Sequence, residues 1–379
     1  IGKTRLSREF KEQIAPKGDG GEVGSSREKI LYYNAFTEDL FYWDNDLKSD
    51  GEPKLKIQPN TFIDWIIRDR GQDKNIVNNF HRYADEKLTP LFLEVDKDIE
   101  KDGKRIKIKT YPEVTFSFDR GTERSGNIKI SKGEESNFVW SVFFSLLEEV
   151  VEILQDPVVA NREDDQFDDL EFVFIDDPVS SLDDNHLIEL AVDLAKLVKS
   201  SESDLKFVIS THNPLFYNVL MNEFNNPLIK KTGSENEEKI YRPKESINYR
   251  LVKHEDGTFN LIELGRNTPF SYHLSLLDEV RKAINSNQIK KYHFNFLRNI
   301  LEKTATFLGY KKWPDLLPKG EDNNPDPFAN RIVNLSSHSA HSGEEIAEVD
   351  EHDKEKLKEL VAYLTEKYGY HKQEAQNDQ

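Results

Sequence analysis

Two short runs without a polar residue, Phe172-Val173-Phe174-Ile175 and Phe207-Val208-Ile209, constrain this chain more than any other feature. A strand with no polar face must be covered on both sides, as happens in parallel sheets with helices packed against them. Between the runs, Leu187, Leu190, Ala191, Leu194 and Val198 recur at helical spacing, after the capping-type residues Asp183, Asp184 and Asn185. Strand, helix, strand in that order predicts a right-handed βαβ unit.

The first run ends in Asp176-Asp177. A carboxylate at the C-terminal end of a buried strand stands where open α/β sheets bind ligands, and it can hold Mg²⁺ through water. A second carboxylate beside it can orient or deprotonate an attacking water. Taken alone, the pair fits an ordinary strand exit better than a catalytic site. The chain also opens Ile1-Gly2-Lys3-Thr4, the end of a G-x-x-x-x-G-K-[ST] loop whose first glycine is expected upstream. In such a loop backbone N–H groups and Lys3 hold phosphates, and the Thr4 hydroxyl ligates Mg²⁺.

Three further stretches resemble motifs of the ABC superfamily. Ser180-Ser181-Leu182-Asp183 is similar to the D-loop, and His212 ends the second run where that superfamily places its switch histidine. Ile130-Ser131-Lys132-Gly133-Glu134 resembles the LSGGQ signature. It precedes a helix predicted over 134–154, with Phe138, Val142, Leu146 and Val150 four apart. There Gly133 lets backbone approach phosphate, Ser131 offers a hydroxyl, and the helix N-terminus favours an anion. The five elements, in this order, predict an α/β ABC-type P-loop NTPase domain over 1–265. The resemblance implies a head-to-tail dimer, in which the signature of one copy closes on nucleotide held by the other. Asp177 then stands where the superfamily usually has the Glu that acts as general base.

From Phe270 onward the pattern turns helical, which predicts a second, mostly helical domain over 266–369 and a disordered tail over 370–379. On a helix expected over 292–308, Arg298 and Glu302 share one face. A surface ion pair accounts for them. Together with His338 they could also cleave RNA by attack of the 2′-OH, which needs a group titrating near neutrality and a cation for the phosphorane, but no metal. His341 near His338 raises a metal site only weakly, for want of a close carboxylate. The net charge of −18 opposes non-specific nucleic-acid binding, so an RNA substrate must meet a local basic patch. Arg281, Lys282, Lys290, Lys291, Lys311 and Lys312 can supply it, with Tyr292 and Trp313 for base stacking. The absence of cysteine suits a reducing cytoplasm, and a mean hydropathy of −0.71 with no long apolar run predicts no membrane span.

The stretches 29–43, 131–138 and 174–185, with Leu297-Arg298-Asn299, Glu302-Lys303-Thr304 and Ser337-His338-Ser339, resemble the PrrC anticodon nucleases along nearly the whole chain. That resemblance implies an ABC-like domain hydrolysing GTP or ATP with Mg²⁺ and responding to dTTP. It further implies a helical nuclease domain, with a HEPN-like arrangement as one form, that cuts tRNA-Lys on the 5′ side of the wobble base. The family's Arg–Glu–His catalytic set falls on Arg298, Glu302 and His338, and its members are held latent by a type I DNA restriction–modification complex as antiphage defence. The family's tRNA-recognition box corresponds to about 263–268, without a clear counterpart for its acidic residue. The competing reading is an SMC- or DNA-repair-like ABC ATPase whose C-terminal part is a binding module. No sustained heptads run across 5–130 to favour it.

Overall fold

A computed structural model describes residues 2–14, 29–34, 40–44, 53–101, 104–119, 124–125, 127–178, 182–232, 236–254, 256–266, 269–319 and 349–370. The chain divides into two compact units, Ile1–Asn267 and Thr268–Gln379.

The first unit is built on a parallel sheet in which β7 (Phe172–Asp176) lies between β1 (Ile30–Tyr33) and β8 (Lys206–Ser210). The register pairs Ile30 with Phe172 and Ile175 with both Tyr33 and Ile209. Val173, Phe174 and Ile175 have no exposure, as an apolar central strand requires. Phe207, Val208 and Ile209 are only half-buried, although the same pattern predicts full burial. Among the described residues β8 pairs with β7 alone, whereas β7 is flanked on both sides. Helix α4 (Asp184–Ser200) joins β7 to β8, buries Leu187, Leu190, Ala191 and Leu194, and is capped by Asp183, whose carboxylate accepts from the Asn185 and His186 amides. Helix α1 (Gly2–Ile14) sets Phe10 edge-on to Phe172 at 5.3 Å and against Phe174 at 5.5 Å.

Helix α3 (Lys132–Leu154) is buried on more than the predicted stripe: Val139, Trp140, Phe143, Phe144 and Leu147 join Phe138, Val142, Leu146 and Val150. It lies between two layers. On one side Trp140 and Phe143 meet Tyr33 of β1, with ring centroids 5.1 and 4.9 Å away. On the other, Phe138 meets Phe41 and Phe116, of β2 (Phe41–Asp44) and β5 (Lys104–Asp119). A helix apolar all round is what a two-sided core demands. The second layer is antiparallel, β2–β3–β5–β4, with β3 at Lys54–Ile57, β4 at Leu88–Lys101 and β6 (Arg124–Ser125) paired to β5. Its hairpin β4–β5 pairs from Leu88 with Phe118 out to Lys101 with Lys104. Its root, at Leu88, Val114 and Phe116, is buried beside α2 (Asp73–Tyr83). After β8 come α5 (Pro214–Phe224) and two ribbons, β9–β10 (Leu228–Thr232, Asn236–Tyr241) and β11–β12 (Asn248–Lys253, Phe259–Leu264).

In the second unit, α6 (Tyr272–Asn285), α7 (Lys291–Leu308) and α8 (Glu351–Tyr368) enclose a separate core of Leu277, Val280, Leu297, Leu301, Leu357 and Leu364. Gly309, at φ +78°, ends α7 in the left-handed conformation that glycine adopts without steric cost. A 3₁₀ turn at Trp313–Leu316 follows. Tyr370 packs with this unit: its carbonyl accepts from Arg281 at 2.8 Å and its hydroxyl bonds Thr304. The expected tail beyond it lies outside the described residues.

Candidate functional site

The C-terminal end of β7 brings together Asp176, Asp177 and His212, three of the residues expected at a nucleotide site. Asp176 is buried at 8% exposure, and among the described residues its hydrogen-bond partner is the neutral Ser210 hydroxyl of β8 rather than a cation. A buried carboxylate without a paired cation suits a divalent ion as its counter-charge. Asp177 leaves the strand at φ +55°, a left-handed conformation that Asp tolerates better than most residues. Its N–H donates to the Ser210 carbonyl at 2.8 Å, so the turn is pinned to β8. That turn aims the two adjacent side chains at different partners. The Asp177 carboxylate accepts from the Thr211 hydroxyl at 3.2 Å, from the His212 amide at 3.3 Å and from His212 Nδ1. Thr211 Oγ1 in turn accepts from the Asn213 amide at 3.0 Å, and Asn213 caps α5 through the Leu215 and Phe216 amides. The loop after β8 is thus fixed at one end by Asp177 and at the other by a helix cap.

Gly2, Lys3 and Thr4 form the first turn of α1; their side chains are not among those described. From Phe10, which packs beside β7, the helix runs back past Ser7, and Ser7 bonds the Tyr32 hydroxyl, which also bonds Asn34. Burial, above all, raises the Tyr32 phenol above its ordinary range, and the charge of Asp176 adds to it. This order carries the first turn of α1 toward the strand ends where Asp176 stands.

Ser131 and Glu134 form a reciprocal capping box at the start of α3. The Ser131 hydroxyl accepts from the Glu134 amide at 3.3 Å, and the Glu134 carboxylate accepts from the Ser131 amide at 2.7 Å. This S-x-x-E pattern is legible in the sequence and explains why α3 starts at Lys132 rather than Glu134. It qualifies the anion-binding role expected of that turn, since two amides are already committed, though the Ser131 O–H retains its own proton to donate. Gly133 is half-buried within the same turn. Behind the turn sits a group that motif reading missed. The Glu135 carboxylate, 4% exposed, accepts from Trp43 Nε1 at 2.9 Å and Lys132 Nζ at 2.6 Å. Lys129 lies over the Trp43 ring at 5.6 Å. Asp183 caps α4 and bonds His186 Nδ1 at 2.6 Å, which holds its carboxyl below the usual range. Ser181 lies outside the described residues.

In the second unit, Arg298 Nε donates to Glu302 Oε1 at 2.8 Å along one face of α7, and both side chains are partly exposed. Glu302 borders a cleft of about 380 Å³ between the end of α7 and residues 310–314. His338, with Arg331 and His341, lies outside the described residues. Among the proposed basic residues, Arg281 is turned inward: its guanidinium donates to Thr365 Oγ1 at 3.1 Å and to the Tyr370 carbonyl, joining α6 to the end of α8. It is structural, and it leaves the expected RNA-facing patch. Tyr292 is half-exposed and stacks on His293 and Phe296. A larger cavity of about 510 Å³ lies at the opposite, N-terminal ends of β7 and β8, lined by Asp168, Glu171, Glu202 and Asp204 among others, and holds none of the expected site residues. Among the described residues no cluster of three or more metal-ligating side chains occurs, and no helix is long and apolar enough to cross a membrane.

A model of the AAA domain family matches residues 104–366. An anticodon nuclease of Escherichia coli is 50% identical over 99% of this chain and 89% of its own length. The chain belongs to the anticodon nuclease family. Its AAA-type domain contains the strand end just described. Two solved structures are more distant from this family member. A Pyrococcus furiosus Smc head domain bound to the C-terminal domain of ScpA is 13% identical at a TM-score of 0.26, covering 56% of this chain and 38% of that one. A structure from work on ATP-driven dimerization and DNA-stimulated activation of SMC ATPases is 15% identical at 0.26, covering 58% and 97%.

Proposed function

We propose that the chain is a nucleotide-gated anticodon nuclease, in which hydrolysis of GTP or ATP by an ABC-like first unit controls RNA cleavage by the second. The observation that carries the hydrolytic half is the strand end where Asp176 and Asp177 are adjacent yet held by different partners. Asp176 and Thr4 would hold Mg²⁺, which would offset phosphate charge. Gly2 and Lys3 cradle the phosphates. Asp177 takes the proton of the attacking water, while His212 and Thr211 fix its carboxylate. Ser131, Gly133 and Glu134, with Ser181 and Asp183, form the face that closes on nucleotide in a second copy, so the working form is a head-to-tail dimer. The nucleotide site is also the place for dTTP as a stabilising ligand.

In the second unit, Glu302 and His338 move protons to and from the 2′-OH and the departing 5′ oxygen, and Arg298 stabilises the phosphorane without a metal. The substrate is tRNA, tRNA-Lys above all, cut 5′ to the wobble base. The setting is cytoplasmic antiphage defence, with a restriction–modification complex as the restraining partner. Family membership and the Arg298–Glu302 pair support this half. Expression in bacteria followed by resolution of total tRNA tests it: cleaved tRNA-Lys is expected with the wild type and whole tRNA with His338→Ala. Whole tRNA with the wild type, or equal cleavage by the variant, would sink the proposal.

A further inference from the structure

The end of α7 exposes apolar surface that folding does not require. Phe307 and Leu308, the last residues of α7, are 85% and 45% exposed outside the cleft that Glu302 borders, and Tyr310, beyond the Gly309 turn, is 44% exposed and lines it. Single exposed hydrophobic residues are ordinary, but a contiguous group marks a surface for a ligand. Gly309 turns the chain there, and Lys311, Lys312 and Trp313 follow at once. The returning segment is firmly anchored: Leu316 and Leu317 are buried in the core, and the Tyr368 hydroxyl donates to the Leu316 carbonyl at 3.0 Å. Trp313 packs partly on that core and partly lines the cleft.

We infer that this cleft is a single-nucleotide pocket for RNA, in which Trp313 and Tyr310 stack a base turned out of its neighbours and Lys311 and Lys312 take the flanking phosphates. The inference rests on the nuclease reading and adds the subsite that positions its substrate. Three features point to RNA. The volume, about 380 Å³, is near the lower end for ligand pockets and suits one nucleotide rather than a helix or a peptide strand. Aromatic rings interleaved with lysines match the recognition of unstacked nucleotides, for which ring faces accept any base and cations follow the backbone. The two lysines are also a local positive patch on a chain of net charge −18, where an anionic ligand would otherwise be repelled. Glu302 and Thr306 form the α7 side of the same cleft. A base seated there therefore places its sugar–phosphate beside the Arg298–Glu302 pair. Because the wall is anchored, little ordering remains to be done on binding.

Trp313 is the sole tryptophan of the second unit; Trp43, Trp65 and Trp140 lie in the first. Its emission can therefore be isolated as the difference between wild-type protein and Trp313→Phe, both as full chains. The probe is a fully 2′-O-methylated anticodon stem–loop RNA, which cannot be cleaved. We expect it to quench the Trp313 emission and expect Trp313→Ala to raise Kd about five- to 150-fold, with Trp313→Phe retaining most of the affinity. Lys311→Ala/Lys312→Ala should flatten the slope of log affinity against log salt by about 0.7 for each phosphate no longer neutralised. If the RNA binds with Trp313 emission unchanged, and the lysine variant shows the wild-type salt slope, the pocket is overturned while tRNA cleavage by the wild type leaves the nuclease reading standing. A wild-type chain that neither binds this RNA nor cuts tRNA overturns both.

Discussion

Asp177→Asn separates the charge of this side chain from its shape. Asparagine occupies the left-handed region about as readily as aspartate, so φ +55° is kept, and its amide oxygen can still accept from Thr211 and the His212 amide. What is lost is the negative charge facing His212, whose side chain is 63% exposed. A contact that open to solvent contributes about 0.2–1 kcal/mol even where both groups are charged, so the fold should be nearly as stable as before. Catalysis should respond quite differently. Removing a general base costs about 10²–10⁴-fold in rate, or roughly 3–5 kcal/mol of barrier. Phosphate release measured at saturating nucleotide, alongside binding of a fluorescent nucleotide, should show turnover collapsing while affinity holds. Asp177→Ala adds a backbone penalty of about 1–2 kcal/mol, because alanine resists the left-handed conformation, and should also lower the thermal midpoint. His212→Ala leaves the carboxylate held by Thr211 and a backbone N–H, so its loss of turnover should be smaller than that of Asp177→Asn. Wild-type turnover by Asp177→Asn would refute the general-base argument. A drop in nucleotide affinity matching the drop in rate would show instead that the carboxylate binds rather than catalyses.

Three other outcomes follow from packing and titration. Phe138, fully buried among the rings of Phe41, Phe80, Phe92 and Phe116, should cost about 3–5 kcal/mol when cut to alanine, read as a shift in denaturant midpoint at constant slope. Trp43→Phe keeps the ring packing but removes a donor from the buried Glu135 carboxylate, a loss of about 1–3 kcal/mol that should appear as a lower denaturant midpoint. His273 and His293 have pKa values lowered by burial, and His293 Nδ1 accepts from the Lys290 amide, which a protonated ring cannot do. The unfolded chain therefore binds more protons than the folded one as pH falls below about 6.5, the ordinary histidine value, and stability is lost in that direction. Thermal melting followed by helical circular dichroism should move to lower temperature in mildly acidic buffer, and His293→Gln should reduce the dependence.

The contrast between Asp177 and Glu135 shows what one-dimensional reading can reach. The two carboxylates at the end of β7, the histidine after β8 and the cap of α4 each sit at an element boundary, where local sequence and local chemistry coincide. Such positions are legible because a strand end, a turn and a helix start restrict residue type through nearby backbone groups. The capping box at Ser131 and Glu134 is equally local and needs only the S-x-x-E spacing to be noticed. Glu135 is of another kind. On a helix surface a glutamate beside lysine looks like an ordinary solvated pair, and nothing at its position announces that Trp43 is waiting from β2. The same limit applies to Arg281, which reads as one cation among many until α8 closes over it. In each case burial, set by a partner distant in sequence, turns a solvated charge into a structural one whose removal is expensive. The under-read face of α3 has that cause too: a spacing of four finds the stripe facing one layer, and the second layer is visible only once β1 and β5 are placed on opposite sides of the helix. The residues most easily mistaken from sequence are thus those at contacts between layers. Trp43→Phe and Arg281→Met, silent by any local rule, should prove more damaging to the fold than Lys74→Ala at an exposed position of α2.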